Sequence, residues 1–357
     1  MDTLKNIGMN PMIEQFIQEN ILPNTILGRV VKQFKDKYLV FSEENRIAEA
    51  EITGNLRYSA ESSRDFPVVG DWVQLIPFGE NYIIQQLIPR YSMLERKALA
   101  AQSETQLIAA NLDYAFIVQG LNQDFNLNRL ERYLVMVYAG NIKPIILLNK
   151  ADLNTDEENQ STIIQVQERI GTQVPIYLLS AQSGAGISEW RASLQSGKSY
   201  CFLGSSGVGK STLVNALIQQ EVQLTAHISD ATQKGRHTTT HREMFFMPGG
   251  AILIDNPGMR ELGIVHDDHG LELTFAQITA LAQSCKFSDC SHEDEPGCAI
   301  QKAISEGVLE EAVLENYTKI RRESEHFQKS VAQKRKEGKS FGKMYKQIIK
   351  HRKNRKY

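Results

Sequence analysis

Residues Ser199–Asn215 read SYCFLGSSGVGKSTLVN, and this stretch decides the fold. A short apolar run, Tyr200 to Leu203, enters a glycine-rich turn from Gly204 to Gly209, and Lys210-Ser211-Thr212 opens a helical pattern continued by Leu213, Ala216 and Leu217. That is strand, loop, helix, with the spacing G-x-x-x-x-G-K-S. Small residues let the backbone curl into a nest whose N–H groups, together with the helix N-terminus, surround a phosphate. The candidate phosphate-binding residues are Gly204, Ser205, Ser206, Gly207, Val208, Gly209, Lys210, Ser211 and Thr212. Lys210, counted with the catalytic residues, would reach the β- and γ-phosphates, and Ser211 would ligate Mg²⁺. The expected ligand is a nucleoside triphosphate bound with Mg²⁺.

Upstream, apolar runs at Tyr114–Val118, Pro144–Leu148 and Pro175–Leu179 alternate with helical patterns near Leu127–Ala139 and Glu158–Ile170. Alternation of this kind predicts a parallel sheet covered by helices, extended by the strand before Gly204 and another at Ala251–Asp255. The run ending at Leu148 is followed by Asn149-Lys150-Ala151-Asp152. At the C-terminal end of a parallel strand, the Asp152 carboxylate can accept from guanine N1–H and N2–H, a pair that adenine does not offer. Asn149 and the stem of Lys150 would frame the base. The next strand ends in Ser180-Ala181, where the Ala181 amide can donate to guanine O6.

Downstream, Asp255-Asn256-Pro257-Gly258 forms a D-x-x-G in which Asp255 would hold Mg²⁺ through water and the Gly258 amide would meet the γ-phosphate. Between the two phosphate motifs lies Gly235-Arg236-His237-Thr238-Thr239-Thr240; Thr239 or Thr240 would complete the metal shell. Base recognition therefore precedes the phosphate loop in the chain, the reverse of ordinary GTP-binding proteins. Such an order is a circular permutation, with the usual ends joined near Gly197-Lys198. Neighbouring surface termini let the rearrangement preserve the fold.

The flanks differ in pattern. Thr25 to Ile88 holds five period-two runs separated by turn residues such as Gly54-Asn55 and Gly79-Glu80-Asn81, the signature of a small OB-type Greek-key barrel. Tyr38, Phe41, Tyr58 and Trp72 are either its nucleic-acid face or its core. Met12–Glu19 reads as a short helix without chemistry, and Arg96–Gln106 as a loop. Cys285, Cys290, His292 and Cys298 form C-x4-C-x-H-x5-C, three thiolates and an imidazole that suit one structural Zn²⁺ per chain. The acidic neighbours Asp289, Glu293, Asp294 and Glu295 read as a solvated loop, and Cys201 as core. Two helices follow the metal loop.

At 357 residues, 41% hydrophobic and 23% charged, the composition is that of a multidomain globular chain. No apolar run approaches the ~18 residues of a membrane span, and no signal-peptide pattern opens the chain, so a cytoplasmic protein without membrane contact is expected. The net charge of −2 conceals an asymmetry. Residues 328–357 carry 12 Lys and Arg against Glu337 alone, +11, which leaves −13 for the remainder. Basic ends of this kind contact polyanions. The expected division is an extension (1–24), a barrel (25–95), a permuted GTPase domain (96–265), a helical zinc-binding domain (266–327) and a basic tail (328–357).

With ETQLIAANLDYAFIV, NLNRLERYL, NKADL, GSSGVGKSTLVN, KGRHTTTHRE, IDNPGMREL and KFSDCSHEDEPGCAI in that order, the chain resembles the bacterial ribosome-small-subunit-dependent GTPase A family over nearly its whole length. The resemblance implies a late-acting 30S assembly factor that hydrolyses GTP to GDP and phosphate, is stimulated by the small subunit and leaves after hydrolysis. It implies 16S rRNA as a partner, a monomer, and the switch histidine His237 as the residue that positions water. Met259, after the D-x-x-G, lacks the donor needed for that task. The alternative is an RNA-binding assembly scaffold in which GTP is a structural ligand.

Overall fold

The computed structural model describes residues 2–34, 37–97, 105–219, 242–247, 249–255 and 268–327. It opens with α1 (Asp2–Asn6) and α2 (Pro11–Asn20). Asn10 starts α2 by accepting from Ile13 N at 3.0 Å, with Pro11 in the first turn where its missing N–H costs nothing. Leu4, Ile7 and Ile13 pack on Leu27, Trp72 and Ile88, so the two short helices close one end of the next unit.

That unit is a barrel of β1 (Ile26–Gln33), β2 (Tyr38–Ser42), β3 (Arg46–Ile52), β4 (Trp72–Phe78) and β5 (Asn81–Leu87). The order is β1-β2-β3-β5-β4, and β4 pairs back onto β1; only β3 and β5 run parallel. Period-two alternation sends Val30, Val40, Ala50, Val73, Leu75 and Ile84 inward. Of the aromatics singled out in the sequence, Tyr38 and Trp72 are core, Phe41 is half-buried, and Tyr58 is 93% exposed. Tyr58 lies on α3 (Gly54–Ser59), which forms where the sequence suggests only a turn. Thr53 makes the difference, accepting from Leu56 N at 3.1 Å as a helix cap.

A hairpin of β6 (Met93–Lys97) and β7 (Thr105–Ala110) takes up both ends of the expected loop 96–106. Then follow β8 (Tyr114–Gly120), α4 (Leu127–Ala139), β9 (Lys143–Asn149), α5 (Asp156–Ile170), β10 (Ile176–Leu178), α6 (Ile187–Ala192), β11 (Ser199–Leu203), α7 (Lys210–Gln219), β12 (Arg242–Phe246) and β13 (Ile252–Asp255). Strands β10-β9-β8-β11-β13 lie side by side and parallel, and β12 adds antiparallel to β13 and pairs onward with β1 of the barrel. Parity divides the sheet into two cores. Ala115, Ile117, Ile146, Leu148, Cys201 and Ile254 face α4 and α5, whereas Phe116, Val118, Leu147, Phe202 and Leu253 face α6 and α7. Burial pushes the Cys201 thiol up to about 12, which keeps it inert in this core.

The new entry made by the permutation meets the join of the usual ends at the foot of this sheet. Asp113, just before β8, takes Lys198 Nζ at 2.9 Å and Ser199 N at 2.8 Å, fastening the new entry to the join near Gly197. Beside it Arg29, fully buried, donates to Ile7 O, Gly70 O, Asn111 O and Ser199 Oγ and stacks over Trp72 at 5.5 Å. One guanidinium thus holds the N-terminal helices, the barrel and the first residue of β11 together.

The C-terminal region comprises α8 (Asp268–Thr274), α9 (Ala276–Ala282), α10 (Ala299–Ser305) and a last helix over residues 311–327. Its core of Leu271, Phe275, Ile278, Ile300, Leu309 and Ile320 includes Val135 from α4. Close approach explains Gly270: a Cβ there would lie 2.3 Å from Val135 O. No helix among the described residues is long and apolar enough to cross a membrane.

Candidate nucleotide site and metal centre

Four of the five parallel strands, β9, β10, β11 and β13, deliver a motif at the C-terminal end, where open α/β sheets bind ligands. Register places the end of β8 beside the end of β9, Gly120 opposite Asn149, and β11 between β8 and β13 carries the phosphate loop towards Asp255. Asn149, 1% exposed, is the fastener. Its Nδ2 donates to Val208 O at 2.8 Å in the phosphate loop, and its Oδ1 accepts from Ala181 N at 3.0 Å. The Ala181 amide, expected to face guanine O6, is thus engaged by Asn149 here. A Cβ on Gly209 would lie 2.2 Å from Asn149 Nδ2, and Gly209 has φ +99°, so glycine is required on both counts.

Lys150 sits in the left-handed region at φ 68°, which turns the chain so that Asp152 reaches the next strand's loop. Ser180 Oγ donates to Asp152 Oδ1 at 2.5 Å and accepts from Ser183 N at 3.0 Å. This bond fixes the carboxylate's direction and leaves its second oxygen for a ligand. In the phosphate loop, Lys210 Nζ lies 2.6 Å from both Gly204 O and Ser205 O. Ser211 and Thr212 occupy the first turn of α7. Ser206 and Gly207 form the exposed crest of the loop. One contact has no counterpart in the motif: Arg129, in the first turn of α4, donates to Ser205 Oγ at 3.0 Å. The sequence does not single out Arg129 because its pairing with Ser205 spans 76 residues; NLNRLERYL marks only the helix.

This geometry matches known proteins. The RsgA GTPase family model covers residues 87–265. A Vibrio parahaemolyticus protein named small ribosomal subunit biogenesis GTPase RsgA 2 is 39% identical over 352 residues, covering 99% of this chain and 94% of its own. The chain belongs to the RsgA GTPase family. A Bacteroides thetaiotaomicron relative, small ribosomal subunit biogenesis GTPase RsgA 1, is 42% identical over 92% of this chain and 91% of its own. Among solved structures, YjeQ from Thermotoga maritima superposes with TM-score 0.62 at 25% identity, covering 84% of this chain and 98% of that one. YloQ, described as a circularly permuted GTPase, gives TM-score 0.62 at 26% identity over 85% of this chain and 96% of its own. The permuted order read from the motifs is thus the architecture of the RsgA fold.

In this RsgA chain the C-terminal region also gathers a group of side chains that could hold a metal ion. The ligand atoms of Cys285, Cys290, His292 and Cys298 all lie within 4.8 Å of one another. Cys285 Sγ to Cys298 Sγ is 3.9 Å, and His292 Nδ1 lies 3.7 Å and 3.6 Å from those two sulfurs. A tetrahedron with Zn–S of about 2.3 Å and Zn–N of about 2.0 Å has edges of roughly 3.8 Å and 3.5 Å, so the donor set fits zinc. Gln301 Nε2 holds the His292 carbonyl at 2.6 Å, and Cys298 caps α10 by accepting from Gln301 N at 3.5 Å. Glu295 shapes the loop without joining the ligand set. The Ser291 hydroxyl and amide and the Glu293 amide donate to it, and hydrogen bonding, led by the Ser291 hydroxyl, holds its carboxyl down to about 2. Thr239, Thr240, His237, Gly258 and Met259 lie outside the described residues, as does the basic tail; Asp255 is the last residue of β13.

Proposed function

We propose that this chain binds Mg²⁺ and GTP across the C-terminal ends of β9, β10, β11 and β13 and hydrolyses GTP to GDP and phosphate during assembly of the small ribosomal subunit. The observation that carries the reading is Asn149, one buried amide that bonds the phosphate loop on one side and the Ser180-Ala181 loop on the other. These two bonds support reading base and phosphate recognition as parts of one site.

The roles follow from the motifs and, for the described residues, from their positions. Asp152, oriented by Ser180, reads the guanine edge; Ala151 and the Lys150 stem flank it. Gly204 to Gly209 present amides to the phosphates. Lys210 exchanges two carbonyls for β- and γ-phosphate oxygens. Ser211 and Asp255 hold Mg²⁺, with Thr239 or Thr240 and the Gly258 amide completing the γ-phosphate side and His237 orienting water. The metal ion would supply charge neutralisation between β- and γ-phosphates. Zinc on Cys285, Cys290, His292 and Cys298 is structural, because four protein ligands leave no open position. The partner is the 30S subunit and its 16S rRNA, met by a cytoplasmic monomer; the supporting features are the names of the relatives and the +11 tail.

The test is phosphate release from GTP by the full chain with purified 30S, 50S and 70S particles. Turnover raised by 30S alone supports the proposal. GTP binding with no turnover under any condition would leave an assembly scaffold that uses GTP as a structural ligand.

A further inference from the structure

Helix α4 touches two regions that the family motifs do not connect. Its first turn carries Arg129, whose Nη1 donates to Ser205 Oγ at 3.0 Å and comes within 3.5 Å of Asp124 O. Ser205 is also one of the two carbonyls that hold Lys210 Nζ, at 2.6 Å. Arg129 therefore grips, through its hydroxyl, the residue whose carbonyl Lys210 must release to reach a phosphate. No carboxylate among the described residues forms an ion pair with Arg129, in contrast to Arg132 on the next turn, which pairs with Glu323 at 2.6 Å. A guanidinium half-buried beside a phosphate nest without a carboxylate partner is a charge kept for an anion.

The other side of α4 is bound to the last helix. Glu131, 1% exposed, pairs with Arg169 at 2.7 Å and accepts from Asn316 Nδ2 at 2.5 Å. Asn316 Nδ2 also reaches Asn128 O at 3.2 Å, and Arg169 donates to Asn128 Oδ1 and Ala312 O. Residues 128, 131 and 132 surround Arg129 in the chain, so the turn that carries it is held by helix 311–327. A buried amide and ion pair of this kind have one good geometry and tolerate little sliding.

We propose that Arg129 is a positioning residue that favours the triphosphate state through Ser205, and that its placement depends on the docking of α4 against helix 311–327 through Asn316 and Glu131. This rests on the GTP reading above. In the diphosphate state Lys210 has fewer phosphate oxygens to bind and can retain the Ser205 carbonyl. In the triphosphate state Lys210 leaves, and the Arg129 grip becomes the remaining tether on Ser205. Loss of Arg129 should therefore cost GTP more than GDP.

The experiment measures Kd for GTP, with a non-hydrolysable analogue, and for GDP, together with kcat, KM and thermal unfolding. It uses the full chain as wild type, R129A, R129K, N316A and R129A/N316A. R129A is expected to raise the GTP-analogue Kd about tenfold and the GDP Kd less than threefold, with R129K recovering part of the difference. N316A should shift the same ratio in the same direction by about threefold, and the double variant should not exceed R129A. Equal losses for both nucleotides in R129A would show a merely structural arginine and overturn the proposal. An unchanged ratio in N316A alongside a lowered unfolding temperature would overturn the dependence on helix 311–327. Wild-type protein that binds neither nucleotide would instead refute the GTP reading itself, which separates the two failures.

Discussion

Replacing Asp152 by Asn changes chemistry without changing shape, and the structure says how much that should cost. Ser180 Oγ donates to Asp152 Oδ1, and an Asn carbonyl can accept the same bond, so the loop keeps its form. The second carboxylate oxygen becomes an NH₂ group facing guanine N–H donors. One charge-assisted hydrogen bond, worth about 1.5–3 kcal/mol, is lost, and a donor is left unpaired at about 1–3 kcal/mol. The sum, roughly 3–6 kcal/mol, corresponds to about 10²–10⁴ in affinity. Xanthine, whose 2-oxo group accepts, should bind the variant better than guanine does. Calorimetric titration of Asp152→Asn with GTP and xanthosine triphosphate, alongside a denaturant melt to confirm an intact fold, measures both. GTP affinity within tenfold of wild type, or no gain for xanthosine triphosphate, would refute the assignment of the base-reading carboxylate.

Gly209→Ala should abolish measurable nucleotide binding, since its Cβ would meet Asn149 Nδ2 at 2.2 Å and its φ of +99° disfavours any side chain; equilibrium dialysis with labelled GDP checks it. Metal analysis should return about one zinc per chain, and Cys290→Ala should melt the C-terminal region early while GTP affinity stays within a few-fold, read by thermal scanning and titration. Truncation after Phe327 should weaken binding to small subunits and flatten its salt dependence, because Lys and Arg contacts with phosphates release counterions. His237→Ala should retain GTP and 30S binding and lose most 30S-stimulated turnover, whereas Met259→Ala should leave the basal rate nearly unchanged; single-turnover phosphate release decides both.

Much of this molecule is legible in the sequence because its local signals agree with its tertiary needs. The parallel strands read as apolar runs since both faces are covered, and Gly204 and Gly209 of the phosphate loop sit where a side chain would strike a neighbour. The metal ligands are close in sequence, so spacing alone predicts the cluster. What escapes is long-range and polar. Nothing near Arg29 announces that it will join three units at the foot of the sheet, and its four carbonyl and hydroxyl acceptors come from distant segments. Helix α3 escapes for a different reason. Gly54-Asn55 is strong turn chemistry, and only the Thr53 cap tips the balance. Asn149 is found in the sequence as part of a base-reading motif, but its task as a fastener between loops depends on the sheet register that sets β9 near β11.

The permuted order gives α4 a place that no single motif discloses. In this chain the strand ending at Asp255 leads, through residues 256–267, directly into α8, and α8 lies against α4 with Gly270 under Val135. After residues 256–267 the chain therefore resumes in α8, packed on the helix whose first turn grips Ser205. Helix 311–327 meets that helix too, through Asn316 and Glu323. The phosphate loop and the C-terminal region thus both bear on α4. A rotation of α4 large enough to relieve strain at any one of them must break a buried pair or a close backbone contact at another. Such an arrangement favours a few discrete docked states over continuous movement, and on the GTP reading proposed above it would let binding energy gained by the C-terminal region on a partner be felt at the γ-phosphate without contact between the two.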